Sequence, residues 1–543
     1  MTSTNRIAPR RRRLVPLVLG VGCLAALSLL PPSALAAESD GLPGSGRSAA
    51  PVDTEQRVAD YLHSVRDQPN ALLGFFQKLP KGGDLHNHLF GAASTELLVK
   101  LAGEDGLCVD EKTMKALPAP CGPGTRPAAD ARTDAAFRQR ILRAWSMRDF
   151  PRGQSGHDHF FATFGKFDKV AGAHRGTLLA EVADTAVRQN QFYLETMFSP
   201  ASPGSDKLAA EVGFHSDLAR THRLLVAGGK LDTLVRQARR ETDAVEAQFR
   251  KAAACGTGRA RPGCRLPFRF ISGASRGGAP ERVFTQLALG MRLAESDPRF
   301  VAVNLVQPED GTVALRDYRL QMRMLAYLHG VYPRAHITLH AGELAPGLVK
   351  PEDLTFHVND AVRTAHAERI GHGVDVAHEN NAPDLLRTMA RTGVAVEVSL
   401  TSNRQILGVS GPEQPFPLYR EYGVPVVLAT DDPGISQTDI GAEYRYAWET
   451  YGLGYRDLKE LARASLRYAF LPGDSLWGPP GGASRGARRT YELTGPCRGE
   501  RPGLRAPGKS CARFLARSSK AGVEWRQEQA FQRFERRIAG QRS

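Results

Sequence analysis

Eight short apolar or β-branched runs, at residues 84–88, 192–199, 268–275, 301–307, 337–343, 369–375, 394–399 and 424–432, each end in polar residues. Longer helical patterns separate them, among them 177–188, 216–252, 283–295, 315–328, 354–366 and 383–392. This alternation is the written form of a parallel sheet, because parallel neighbours need a crossover between them. Eight such units predict closure into a barrel. The alternative, an open doubly wound sheet, carries a glycine fingerprint after its first strand, and none follows residue 88 here.

The fold class expected is therefore α/β, a (β/α)8 TIM barrel with insertions and an N-terminal helical extension. Residues 1–36 read as a signal peptide, 37–75 as a linker and helical extension, 76–472 as the barrel, and 473–543 as a Gly/Pro/Arg-rich excursion with a C-terminal helix. The helix over 54–67 places Val58, Tyr61, Leu62 and Val65 on one face. An insertion at 104–150 follows the first strand, on the side where barrels keep their chemistry, and is expected to form a lid or rim.

The start of the chain has the three parts of an export signal: a basic stretch through Arg13, an apolar stretch at 14–30, then Pro31-Pro32-Ser33 before Ala34-Leu35-Ala36. Cleavage after Ala36 and secretion by the Sec or Tat route follow as expectations. The apolar stretch is short of the ~20 residues needed to span a bilayer and contains Pro16, Gly20 and Gly22, so no membrane association is expected after cleavage. Without Cys23, the remaining cysteines form sequence-local couples, Cys108 with Cys121, Cys255 with Cys264 and Cys497 with Cys511, which suits an oxidising compartment. Short loops favour those pairings, though spacing alone does not fix connectivity. The formal net charge is +15, of which Arg6, Arg10, Arg11, Arg12 and Arg13 lie in the leader. The other basic residues are scattered among acids, as on a solvated surface, and no nucleic-acid partner is expected.

The strand ends carry the chemistry. His86 and His88 alternate along the first, so both face one way. His340-Ala341-Gly342-Glu343 adds an imidazole and a carboxylate, Gly371-His372-Gly373 a histidine between glycines, and Asp431-Asp432 two adjacent carboxylates after the run Val424 to Leu428. Adjacent buried carboxylates repel without a compensating cation or donor. Imidazoles with a carboxylate and one open position suit a zinc-like ion, which lowers the pKa of coordinated water toward ~7. The remaining carboxyl and imidazole groups supply acid and base.

With these motifs, preceded by Leu79-Pro80-Lys81-Gly82 and joined by residues 160–168 and 195–200, the chain resembles the adenosine deaminase family of the amidohydrolase superfamily, and in particular its secreted growth-factor-type branch. The resemblance covers roughly residues 75–470. It implies one Zn2+ per chain held by His86, His88, His340 and Asp431. Glu343 would give a proton to purine N1, His372 would orient and deprotonate the attacking water, and Asp432 would fix N7. The implied reaction turns adenosine, 2′-deoxyadenosine or a 5′-modified relative into the inosine-type product and ammonia. Two-metal relatives carry a lysine at the fourth strand's end, where this chain reads Asn304-Leu305-Val306-Gln307-Pro308-Glu309.

Two positions depart from the family pattern. Phe90 stands where the family has an aspartate contacting the ribose 5′ hydroxyl, and an aromatic ring cannot accept that hydrogen bond in the same way. Gln307 stands where the family has a glycine offering its N–H to purine N3. Both are candidate substrate-binding residues, and tolerance for 5′-altered sugars is expected near Phe90. Related secreted deaminases pair through additions before the barrel, a role open to residues 38–75 in a homodimer. The competing functions are a secreted nucleoside-binding or signalling protein on a deaminase-like barrel, and a one-metal hydrolase of another amidine substrate.

Overall fold

The computed structural model describes residues 53–151, 153–478 and 491–540. The proposed leader, its cleavage site, most of the linker and part of the 473–517 excursion lie outside the described residues.

Eight parallel strands form one sheet in sequence order: β1 (Gly82–Asp84), β2 (Gln191–Phe198), β3 (Phe268–Ser275), β4 (Phe300–Val306), β5 (His336–Ala341), β6 (Arg369–His372), β7 (Ala395–Val398) and β8 (Val426–Leu428). The sheet closes just beyond its named edge strands. Asn87 bridges Asp431 in parallel, with His88 N donating to Asp431 O at 3.0 Å and Asp431 N donating to His86 O at 2.9 Å. This seam matters because both sides of it carry candidate site residues. The first strand is shorter than its sequence run: only Gly82–Asp84 is strand, and residues 85–88 continue as a bridging segment.

Most helices around the sheet bury one stripe, while Pro280–Ser296 is buried on all sides from Val283 to Met291. In the helix Tyr455–Arg467, Tyr455, Leu458, Leu461, Ala462 and Leu466 are buried, the spacing of one helical face. The helix Ala382–Thr392 buries Leu385, Leu386 and Met389 and stops at Gly393, whose positive φ of 77° lets its N–H reach Met389 O. The pattern at 216–252 is two helices, Leu218–Val226 and Lys230–Ala252, because Gly228 and Gly229 take left-handed conformations between them.

The insertion at 104–150 contains a small antiparallel sheet, with Cys108–Asp110 between Ala116–Leu117 and Thr125–Pro127, followed by the helix Ala135–Ala144. All three expected disulfides are present, Cys108–Cys121, Cys255–Cys264 and Cys497–Cys511. The last belongs to a small cluster in which Leu476, Trp477, Cys497, Cys511, Ala521 and Trp525 pack together, tying the excursion to the terminal helix Ser519–Gly540. The N-terminal helix Thr54–Ser64 is anchored from the barrel side, where Lys459 bridges Glu55 and Glu535 at 2.7 and 2.6 Å. No helix among the described residues is long and apolar enough to cross a membrane.

Candidate metal centre

The C-terminal ends of β1, β5, β6 and β8 bring His86, His88, His340, His372, Glu343, Asp431 and Asp432 together. His86 Nε2 and His88 Nε2 each lie 3.1 Å from His340 Nε2. Asp431 Oδ1 is 3.5 Å from His86 Nε2 and 3.1 Å from His88 Nε2.

The rings are fixed from behind. His86 Nδ1 lies 2.7 Å from Glu397 Oε2, and His340 Nδ1 lies 2.9 Å from Asn304 Oδ1, an oxygen that also accepts the His340 backbone N–H. Both partners are acceptors, so each ring carries its proton on Nδ1 and presents a lone pair at Nε2. Two imidazole lone pairs 3.1 Å apart and buried repel unless a cation sits between them. Nitrogen donors with one carboxylate, each ring held by an acceptor behind it, are the donor set a single divalent ion of zinc type takes. The residues present therefore fit the ion.

Ligand-capable atoms group in two overlapping ways: His86, His340, His372 and Asp431, and His88, Asp431 and Asp432. The short contacts separate the roles. His88 closes on both His340 and Asp431, while His372 Nε2 is 3.7 Å from Glu343 Oε1. His372 Nδ1 faces Asn403 Oδ1 at 2.9 Å, and Asn403 Nδ2 donates to Gln414, which fixes the amide's orientation. His372 thus also keeps its lone pair on Nε2, a buried atom with no hydrogen-bond partner.

Several local features let these groups converge. A Cβ at position 371 would lie 2.5 Å from His86 Cε1, so glycine is what lets the sixth strand pass the His86 ring. Gly91 does the same for Asp432, whose Oδ1 would sit 1.7 Å from a Cβ there. His372, Asp431 and Gln307 hold positive φ of 66°, 60° and 83°, a region that costs a side-chain-bearing residue about 1–2 kcal/mol. Ser402 Oγ donates to Asp431 Oδ2 at 2.6 Å.

Burial raises the Glu343 carboxyl to about 7, against the pull of His372. Burial, reinforced by the Asp431 charge, pushes Asp432 well above the usual carboxylate range, and its Oδ1 is buried without a partner. Glu397 goes the other way: Arg369 and His86 overcome its burial and hold it at about 2, so it is a permanent anion.

A cavity of about 520 Å³ opens over these groups, lined by His88, His340, Glu343, Asp431 and Asp432 at its floor. Phe90 and Gln307 line it too. Gln307 does not project across it; its Oε1 accepts the Gly277 N–H at 3.1 Å. The cavity's aromatic lining is Phe90 and Phe198 together with Phe160, Phe161 and Phe164 of the helix Gly156–Ala173, and includes no residue of 104–150. The insertion instead backs that helix, with Trp145 against Phe167 and Lys166 Nζ bonded to Ala144 O. Glu397, Asn304 and Asn403 were missed as site residues. Glu397 had a signal, an acid inside the apolar run Val394-Ala395-Val396-Glu397-Val398; the two asparagines had none.

The adenosine deaminase family profile matches residues 152–476. Adenosine deaminases of Salmonella schwarzengrund and Pectobacterium atrosepticum are each 36% identical, over 140 and 137 residues, or 26% and 25% of this chain. Those matches span 39% and 37% of the two relatives' lengths, well under half of either. Among solved structures, Arabidopsis ADAL complexed with IMP aligns with 73% of this chain and 93% of its own, at a TM-score of 0.49 and 19% identity. An adenine deaminase from Arthrobacter aurescens aligns with 72% of this chain and 94% of its own, at 0.46 and 15%. The family profile covers more than half of the chain, and the chain belongs to the adenosine deaminase family.

Proposed function

We propose that this protein is an exported, zinc-dependent deaminase of 6-aminopurine nucleosides, acting on adenosine, 2′-deoxyadenosine or a relative altered at the 5′ position. The observation that carries the reading is the convergence of His86, His88 and His340 lone pairs with Asp431 beside a protonatable Glu343. One Zn2+ held by His86, His88, His340 and Asp431 would activate a water and stabilise developing negative charge.

The chain's own groups divide the proton work. His372 Nε2, its Nδ1–H committed to Asn403, orients the attacking water and accepts a proton from it. Glu343, raised to about 7 by burial so that a protonated fraction persists near neutrality, gives its proton to purine N1 and draws electron density from C6. Asp432, with its raised pKa, donates to N7 and fixes the ring. The water oxygen adds to C6 as His372 takes one of the water's protons; that proton passes to the amino group, the bond from C6 to nitrogen breaks and ammonia leaves, and the proton remaining on the C6 hydroxyl returns to Glu343 as C6=O forms.

Export rests on the tripartite leader and is in keeping with three disulfides. The test of the reaction is ammonia release from adenosine by the purified chain. Chelator-sensitive release that Glu343→Gln abolishes supports it. Absence of release from any aminopurine, with zinc supplied, contradicts it and favours a binding protein.

A further inference from the structure

We propose that the 5′ group this cavity accepts is anionic, so that the preferred substrate is a 6-aminopurine nucleoside 5′-monophosphate and Arg175 is the residue that selects it. The inference rests on the deaminase reading above and narrows its substrate class.

Among the described residues, Arg175 is the one lysine or arginine lining the cavity. It starts the helix Arg175–Arg188, and its guanidinium lies over two rings of the same cavity wall, 5.8 Å from the centroid of Phe90 and 5.3 Å from that of Phe198. The cation is poorly satisfied within the protein. Its Nε is buried with no hydrogen-bond partner, and Glu241 stands 3.7 Å from Nη1, beyond hydrogen-bond length. Glu241 is already occupied: it accepts from the Ala201 N–H at 2.8 Å and from Gln237 Nε2 at 3.2 Å.

Other polar groups nearby are committed elsewhere. Ser199 Oγ donates to Gly273 O and Ser202 Oγ to Ser199 O. The cavity's carboxyl groups, Glu343, Asp431 and Asp432, belong to the metal floor. In the family pattern a carboxylate at the Phe90 position would meet the sugar's 5′ end and repel a phosphate. This chain has exchanged it for a ring that carries a guanidinium. The exchange reverses the local charge, and the planar arginine fork suits phosphate oxygens in a site with aromatic walls.

The experiment compares kcat/KM for adenosine 5′-monophosphate, adenosine and 5′-deoxyadenosine with the full-length zinc-loaded chain, at low and moderate salt. The expected result is a preference for the monophosphate of about tenfold or more, shrinking as salt rises. Arg175→Met should bring the monophosphate-to-adenosine ratio toward one, and Arg175→Lys should keep part of it. Inosine 5′-monophosphate should inhibit more strongly than inosine, a readout that needs no variant. Adenosine preferred over its monophosphate, or Arg175→Met lowering both substrates equally, overturns the inference and leaves the deaminase reading standing. Deamination of none of the three overturns both.

Discussion

Glu397 Oε2 lies 2.7 Å from His86 Nδ1, and the same carboxylate binds Arg369 Nε at 2.5 Å and the Thr338 hydroxyl at 2.8 Å. Arg369 in turn reaches Glu195 Oε2 at 2.5 Å, so a fully buried chain of charges runs from the interior of the barrel to one candidate zinc ligand. The anion fixes the tautomer of His86, and the guanidinium fixes the anion. Glu397→Gln is expected to weaken zinc affinity about 10- to 100-fold, as loss of an outer partner does in other metal sites. It should also lower the melting temperature, because Arg369 loses one of two buried counter-charges. Competition with a chromophoric chelator measures the first effect and calorimetry the second; unchanged zinc affinity would remove Glu397 from the site.

Phe90→Asp restores the carboxylate of the family pattern. Adenosine turnover should rise relative to 5′-deoxyadenosine by about tenfold, the worth of one hydrogen bond to a charged group. Turnover of the 5′-monophosphate should fall at the same time, since the new carboxylate both repels phosphate and pairs with Arg175. Steady-state rates on the three substrates check both directions.

Glu524, whose hydrogen-bond partners are Ser475 and Leu476 and not residues of the candidate site, gives a pH test. Burial raises its pKa to about 7 although it accepts from Leu476 N and Ser475 Oγ. With an unfolded value near 4.5, the native state binds more protons than the unfolded chain between those limits, so this stabilising contribution is full at low pH and is lost as pH rises through about 7. Glu524→Gln should therefore flatten the fall in melting temperature between pH 5 and pH 8, by an amount on the order of 3 kcal/mol at most. A wild type whose stability slope is unaltered by the substitution contradicts this.

Much of the site was legible because barrel geometry places its chemistry at strand ends, and strand ends are visible in sequence as apolar runs closing in polar residues. His340 after Ile337-Thr338-Leu339 and Asp431-Asp432 after Val426-Val427-Leu428 are read that way. The strand-helix count also gave the barrel. What stayed hidden is non-local. The Asn304–His340 and Asn403–His372 pairs join residues 36 and 31 positions apart, and nothing in either segment marks the partner. Their place after the first strand makes residues 104–150 a candidate lid or rim; the cavity lining contains none of them and draws on the helix Gly156–Ala173, with the insertion packed behind that helix, where Trp145 is fully buried. The break at Gly228-Gly229 was in the sequence and was outweighed by the long helical pattern around it.

Export predicts a defined start of the mature chain. Protein recovered from culture medium should begin at Ala37, read by N-terminal sequencing, and replacing Ala34 and Ala36 with bulky residues should leave the leader attached. Full-length chain retained inside the cell with its leader intact would speak against secretion.

The central claim is one divalent ion shared by His86, His88, His340 and Asp431. Elemental analysis combined with zinc X-ray absorption on the purified, zinc-loaded chain tests it directly. The account predicts one zinc per chain with a first shell of nitrogen and oxygen at about 2.0–2.2 Å, lost in the His340→Ala variant. Zinc absent from the wild type, sulfur in the first shell, or full zinc content after His340→Ala would contradict it.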